Sequence, residues 1–400
     1  MDRIFFHIDV NSAFLSWTAC EMLENGETVD LRLVPSIIGG DIEKRHGIVL
    51  AKSESAKAFG VTTGEPVTHA LQKCPTLVSA PPDHHLYQRK SRQLMDYLKT
   101  ITPEIEQVSV DECYMDFSSV ANRFASPEAA AHFIKDTVRT TMGFTVNIGI
   151  SDKKVLAKMA SDFKKPDRVH TLYSHEIQKK MWPLPVSSLF MCGKSSVEVL
   201  RKLEILTIGD LAKADLGILS LHMKSHAKTL WEYANGIDDS VVETIPMEVK
   251  GVGNSTTMSK DVEDMNEISD ILLTLADSVA ARLRKGGNKA YMVSTEIKYN
   301  TFKKVSHQTT LTSPTHNAME IHRTALMLFE EIWDGTPVRL LGIRTSKLVD
   351  DFEPVQMSLF DYKEEKVSNE KLDKLDAALD SIKDRFGKDA VVRGSALRKK

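Results

Sequence analysis

The sequence predicts an α/β protein of several domains that opens on a β-α-β-β-α-β unit. Three observations predict this. Four hundred residues exceed what one hydrophobic core serves, implying about two to four domains. The first 170 residues alternate short β-branched runs with helical stretches. Residues 245–350 alternate in the same way after a helical stretch at 185–235.

In the first part, Ile4–Asp9 is an apolar run suited to a buried strand, and Asn11–Leu23 reads as a helix. Glu104–Ser109 and Glu112–Phe117 are strand-like runs on either side of a tight turn at Val110–Asp111. Pro127–Thr140 reads as a helix with proline in its first turn. Thr145–Ile150 is a β-branched strand, and Ser151 is the expected N-cap of a helix through Ser161. The split topology sets the end of strand one beside the central hairpin turn. Asp9 therefore meets Asp111 and Glu112 from about a hundred residues away in sequence. Further on, Val197–Leu203 is helical and Gly236 is a helix stop. Tyr291–Asn300 and Lys304–Leu311 read as strands, Glu267–Lys285 and Asn317–Trp333 as helices.

Composition excludes several classes. The chain is 42% hydrophobic and 27% charged, with no low-complexity tract. Cys20, Cys74, Cys113 and Cys192 are scattered, which argues against a disulfide framework or zinc site and for a reducing cytoplasm. The N-terminal apolar run is broken by Asp9, unlike a signal peptide, and no run approaches a membrane span. Neither a phosphate loop of the Walker type nor a nucleophile elbow is present. His84-His85, after Pro81-Pro82, reads as loop, and Gly39-Gly40 as a turn. Net charge is −3, yet residues 151–170 hold six basic against three acidic residues. Residues 281–310 hold seven basic residues against Glu296 alone. Each run by itself is explained by a solvated helix face.

Converging carboxylates suit phosphoryl transfer, in which two divalent cations clamp attacking and leaving oxygens. Such hard cations take oxygen ligands. Taken alone, helix capping by Asp9 and a polar hairpin turn at Asp111–Glu112 explain these residues as well.

The flanking residues add to this. Asp9-Val10-Asn11-Ser12-Ala13-Phe14 and Ser109-Val110-Asp111-Glu112 resemble the acidic motifs of Y-family DNA polymerases, the DinB and UmuC relatives. Gly149-Ile150-Ser151, Leu156–Asp162 and Lys165-Pro166 continue the resemblance, which covers at least residues 1–350. It implies a right-hand polymerase: palm at 1–29 and 76–170, small fingers at 30–75, helical thumb with a helix-hairpin-helix at 171–236. A linker at 237–244, an α+β little finger at 245–350 and a tail at 351–400 complete it. The carry-over makes Asp9, Asp111 and Glu112 catalytic, with the Val10 carbonyl as a further metal ligand. Two magnesium ions are implied, with manganese able to substitute. Phe14 falls on the steric gate against the ribose 2′-hydroxyl; without the resemblance it reads as core. Asn11, Ser12, Ala13, Phe14, Ser53, Lys57 and Lys165 fall at the nucleotide.

Two departures stand out. The family's Tyr, followed three residues on by Arg, is Glu54 and Lys57 here, and Lys57 supplies only a point charge. The first hairpin glycine is Met191. The resemblance places DNA contacts at Gly193, Lys194, Lys250, Ser255, Thr256, Lys303 and Lys304, mostly to phosphate. Gln356-Met357-Ser358-Leu359-Phe360 resembles the peptide that docks on a bacterial sliding clamp, with Gln356, Leu359 and Phe360 as contacts. Beyond it, Leu372, Leu375, Leu379, Ile382 and Phe386 form a helical stripe that packs back on the body or docks another protein. The expectation is a monomeric, error-tolerant, distributive, lesion-bypassing polymerase binding primer-template, dNTP and clamp. A nucleotide cyclase with a related palm, or a catalytically silent clamp- and DNA-binding protein, is the alternative.

Overall fold

The computed structural model describes residues 3–41, 47–245 and 248–351, and 376, 378–382, 385–387, 390 and 391 beyond them. The chain divides into two compact units, one of residues 1–42 and 47–246, the other from Met247 onward.

The first unit begins β1 (Phe5–Val10), α1 (Ala13–Glu24), β2 (Ser36–Gly39), β3 (Val49–Lys52), α2 (Glu54–Ala58), α3 (Val67–Lys73) and β4 (Val78–Ala80). It continues α4 (His84–Lys99), β5 (Ile105–Gln107), β6 (Glu112–Asp116), α5 (Pro127–Thr137), β7 (Val146–Ser151), α6 (Lys154–Ser161) and β8 (Val169–Thr171). A helical part follows: α7 (Ile177–Lys180), α8 (Lys194–Lys202), α9 (Ile208–Lys213), α10 (Leu216–Met223) and α11 (Ser225–Ala234).

The main sheet runs β5-β6-β1-β7-β8, with β1 antiparallel to both neighbours. This is the expected split topology plus one strand, β8, parallel to β7. Side-chain alternation along β1 sorts its residues. Phe6, Ile8 and Val10 enter a core with Trp17, Tyr87, Leu94 and Ile134. His7 and Asp9 face the other way, toward α6: His7 Nδ1 lies 2.8 Å from Ser161 Oγ, and Asp9 Oδ2 lies 3.7 Å from Lys158 Nζ.

Several expected boundaries move. His84 and His85 open α4 and are not in a loop; Asp83 caps that helix, accepting from His85 N and Leu86 N. Ser151 ends β7 and donates to the Leu172 carbonyl, so Lys153 takes the N-cap position of α6. The helix from Pro127 gives way to a wider π turn over Val138–Met142. A small sheet, β3-β2-β4, spans Ser36 to Ala80. Gly39 lies within β2. The chain after α11 is tied down: Asp238 accepts from Val155 N at 2.8 Å, and Lys154 Nζ donates to the Val241 carbonyl at 2.8 Å.

The second unit comprises β9 (Gly251–Val262), α12 (Met265–Lys285), β10 (Asn288–Tyr299), β11 (Lys304–Thr315), α13 (Ala318–Ile332) and β12 (Val338–Asp350). Its antiparallel sheet has the order β11-β10-β12-β9. Val252, Val293, Ile297, Leu341 and Ile343 pack with both helices on one face. In the C-terminal segment, Asp380 accepts from Arg284 Nε at 2.7 Å, and Asp376 from Arg284 Nη1 at 3.2 Å and Ala318 N at 3.2 Å. These contacts favour the packed-back reading of the tail, although Ile382 and Phe386 are exposed. Leu372, Leu375 and the peptide Gln356–Phe360 lie outside the described residues.

One contact fixes α6 on the sheet. A Cβ at Gly149 would stand 2.0 Å from the Ala157 carbonyl oxygen and 2.5 Å from Ser161 N, both backbone. Gly149→Ala is therefore expected to cost about 3 kcal/mol or more, since the helix must lift. Denaturant unfolding checks this; unchanged stability would mean that α6 does not press on β7.

Candidate active site

The Asp9–Glu112 pair is set by strand register: the two residues face each other across β1 and β6. The turn before β6 is closed on β1 by Val10 N donating to the Asp111 carbonyl at 2.9 Å. Ser109 organises that turn. Its hydroxyl accepts from Asp111 N and Glu112 N, both at 3.2 Å, and donates to Asp111 Oδ1 at 2.6 Å.

Helix α6 and the loop after it bring cations to these acids. Lys158 Nζ lies 2.9 Å from Glu112 Oε2 and Lys165 Nζ 2.7 Å from Asp9 Oδ1. Burial works to lower both lysines' pKa, but the hydrogen bonds and negative charges of Glu112, Asp9 and Asp162 prevail and raise it. His7, 1% exposed, adds a neutral donor, with Nε2 3.3 Å from Glu112 Oε2. Burial lowers the His7 pKa, the acceptor-only Glu112 carboxylate calls for the tautomer with Nε2–H, and Nδ1 lies 2.8 Å from the Ser161 hydroxyl, which also donates to the Lys158 carbonyl at 2.8 Å. That hydrogen bond, followed by Lys158, depresses Glu112 to about 2.

A cleft of about 380 Å³ opens beside these residues. Asp9, Val10, Ser12, Ala13, Phe14, Asp111 and Lys165 line one part of it, Lys52, Glu54 and Lys57 another. The first turn of α1 starts at Ser12, in a left-handed conformation with no side-chain cap, so its backbone N–H groups are uncapped by a side chain. Phe14 is stacked on Tyr87 of α4, with centroids 4.3 Å apart and planes 7° apart. Among the described residues, no three acid, His or Cys groups gather closely enough to hold a metal by themselves. The lysine ammonium groups stand where positive charge is called for. The donors are carboxylate oxygens, the kind that Mg²⁺ prefers, and phosphate oxygens of a substrate would complete a coordination shell.

Residues 8–162 match the impB/mucB/samB family, and residues 249–359 match that family's C-terminal domain. A DNA polymerase IV of Clostridium acetobutylicum is 46% identical, covering 100% of this chain and 99% of the relative. The chain belongs to the Y-family DNA polymerases. A DNA polymerase IV of Alkaliphilus oremlandii is 35% identical over the full length of both chains. A solved Y-family DNA polymerase chimera shares the fold, with a TM-score of 0.75 over 87% of this chain and 99% of that one at 19% identity. This Y-family enzyme is a DNA-directed DNA polymerase of the translesion kind. Members of the family work with divalent metals, and nothing among the relatives supports a cyclase or a silent binding protein.

The polymerase's expected site residues do not all reach the cleft. Asn11 is buried, and its side chain is engaged by Asn147, Thr145 and Asp167 N. Ser53 is also buried: it caps α2, accepts from Ser36 N and donates to the Val34 carbonyl. Glu54 and Lys57 do face the cleft, paired with each other at 3.3 Å. Gly193 and Lys194 begin α8, which has no side-chain cap, while Met191 takes the left-handed φ of +68° and is 55% exposed.

In the second unit, Ser255 lies on the open sheet face with Glu296, Ser306 and Arg344. Thr256 alternates to the helix-covered face, in register with Leu341. Lys250 precedes β9, and Lys303 and Lys304 flank the β10–β11 turn, with Lys304 paired to Glu296 at 2.7 Å. Within the basic run 281–310, Arg284 is paired with Asp376 and Asp380, Lys289 with Asp351 and Lys304 with Glu296. Within the run 151–170, Lys154, Lys158 and Lys165 are paired with Glu106, Glu112 and Asp9. Sequence reasoning missed His7, Lys52, Tyr87, Asn147 and the pairing of Lys158. His7 had a signal, being two residues from Asp9 on one strand face.

The depressed Glu112 value has a pH consequence. Its folded value lies below the ordinary 4.5, so its stabilisation is complete above pH 4.5 and is lost as pH falls through about 2. In the metal-free protein, a carboxyl-labelled NMR titration is expected to find Glu112 ionised well below pH 4.5. His7→Leu should raise its midpoint; an unmoved midpoint would remove the His7–Glu112 hydrogen bond.

Proposed function

We propose that this polymerase transfers dNMP to a primer 3′ end, releasing pyrophosphate, with two Mg²⁺ ions held by Asp9, Asp111, Glu112 and the Val10 carbonyl. Mn²⁺ is able to replace them. The observation that carries this is the Asp9–Glu112 pair, with Asp111 beside it, at the edge of a cleft whose resting counter-charges are Lys158 and Lys165. Bound divalent ions supply charge neutralisation at the triphosphate and lower the pKa of the attacking hydroxyl.

The protein's own groups do the rest. Lys165 and Lys57 line the cleft as cations for the triphosphate, and the first-turn N–H groups of α1 suit phosphate oxygen. Phe14, held flat on Tyr87, serves as the steric gate under the sugar. Asn11 and Ser53 act behind this surface as structural supports. Gly193, Lys194, Lys250, Ser255, Lys303 and Lys304 hold the primer-template by sequence-independent contacts, with Thr256 contributing through its strand. Gln356, Leu359 and Phe360 are read as the sliding-clamp peptide, from its sequence alone. A monomer in the cytoplasm fits this role; among the described residues no helix is long and apolar enough to cross a membrane.

Glu112→Ala is expected to lower primer extension about a thousandfold or more, with primer-template affinity little changed. Near-normal extension by that variant would move the chemistry elsewhere. Phe14→Ala should admit ribonucleotides far more readily, because only steric exclusion rejects the 2′-hydroxyl. Unchanged sugar discrimination in a folded variant would make Phe14 a core residue only.

A further inference from the structure

Lys165 sits in the loop between α6 and β8, where no strand or helix ladder fixes the backbone. The centre of what fixes it is one buried amide. Asn147 on β7 faces Asp9 in register and is 0% exposed. Its Nδ2 donates to the carbonyls of Ser161 at 2.9 Å and Lys164 at 2.8 Å. Its Oδ1 accepts from Arg168 N at 3.1 Å and from Asn11 Nδ2 at 3.2 Å. Two donors and two lone pairs are thus all used. Asn11 extends the grip, its Oδ1 accepting from Asp167 N at 2.9 Å and Thr145 Oγ at 3.0 Å. The carboxylate of Asp167 is held in turn by Arg139 at 2.6 Å and Lys135 at 3.1 Å. The loop is pinned at Ser161, Lys164, Asp167 and Arg168, with Lys165 between the pins.

We infer that Asn147, acting through this loop, is the positioning residue that sets the Lys165 ammonium at the nucleotide cleft. Asn147 touches neither substrate nor metal; it orders the lysine that does. The inference rests on Lys165 being a triphosphate ligand. A small side chain at 147 leaves the Ser161 carbonyl and the Arg168 N–H without their partner and the Lys164 carbonyl to His170 Nε2 alone, and the loop drifts to satisfy them elsewhere. The expected result is weaker dNTP capture, since a cation held loosely binds its anion less well.

The test is steady-state primer extension by the full chain at saturating primer-template and magnesium, with dNTP varied. The variants are N147S, K165A and the double variant, with N147L as a volume-conserving second choice if N147S unfolds. N147S should raise the KM for dNTP about tenfold, with kcat lowered less and primer-template affinity unchanged. In the K165A background it should add nothing further, because the two residues act as one unit. Additive losses in the double variant, or a fall in kcat at unchanged KM, would overturn the positioning role while leaving Lys165 as a ligand. A K165A variant with wild-type KM would instead remove the triphosphate reading of Lys165, and the inference with it.

Discussion

Everything at this candidate active site depends on a charge balance between one strand pair and one helix. Register places Asp9 and Glu112 side by side across β1 and β6, an arrangement of like charges that is unfavourable unless compensated. Helix α6 and the loop that follows deliver the compensation through Lys158 and Lys165. The helix reaches the carboxylates because it lies against β7 over a residue with no side chain, Gly149. Its start is capped from outside by Asp238, so even the chain after α11 contributes to holding the lysines in place.

The same geometry explains how a hydrogen-bond relay and a charge pair divide the labour. Glu112 Oε2 takes both the Lys158 ammonium and the His7 Nε2–H. Neutral His7 orients the carboxylate without competing for its charge, and Ser161 fixes the imidazole in turn. Carboxylates that bind metal are commonly oriented by such outer contacts, and their loss weakens binding.

Much of the first unit was legible in the sequence because its signals are local and periodic. The alternation in Ile4–Asp9, the turn at Val110–Asp111 and the TVNIGI run suffice to bring Asp9 to Glu112. Helix α4 was missed because Pro81-Pro82 reads as loop, whereas Asp83 after them restarts the chain as a helix. Ser151 looked like a cap but remains extended, its hydroxyl drawn to the Leu172 carbonyl by β8, a strand that nothing local announced. Summed charge misled for a related reason. Arg284 counts toward a basic run in sequence, yet contacts from residues about ninety positions away consume it. Asn11 and Ser53 sit next to cleft residues but point inward, a distinction set by packing and invisible to a motif. Asn147 carried no signal at all, since a buried amide is defined only by partners distant in sequence.

The internal pairing of acids with lysines has a consequence for how the enzyme tolerates metal depletion. Structural metal sites bind folding and metal loading into one equilibrium, so chelators unfold such domains. Here Asp9 and Glu112 are paired with lysines of the same unit, Lys165 and Lys158. With metals held as proposed, chelation is therefore expected to silence the site without melting it. A protein of this design would then stay folded when metal is scarce, with its pairs of acid and lysine intact.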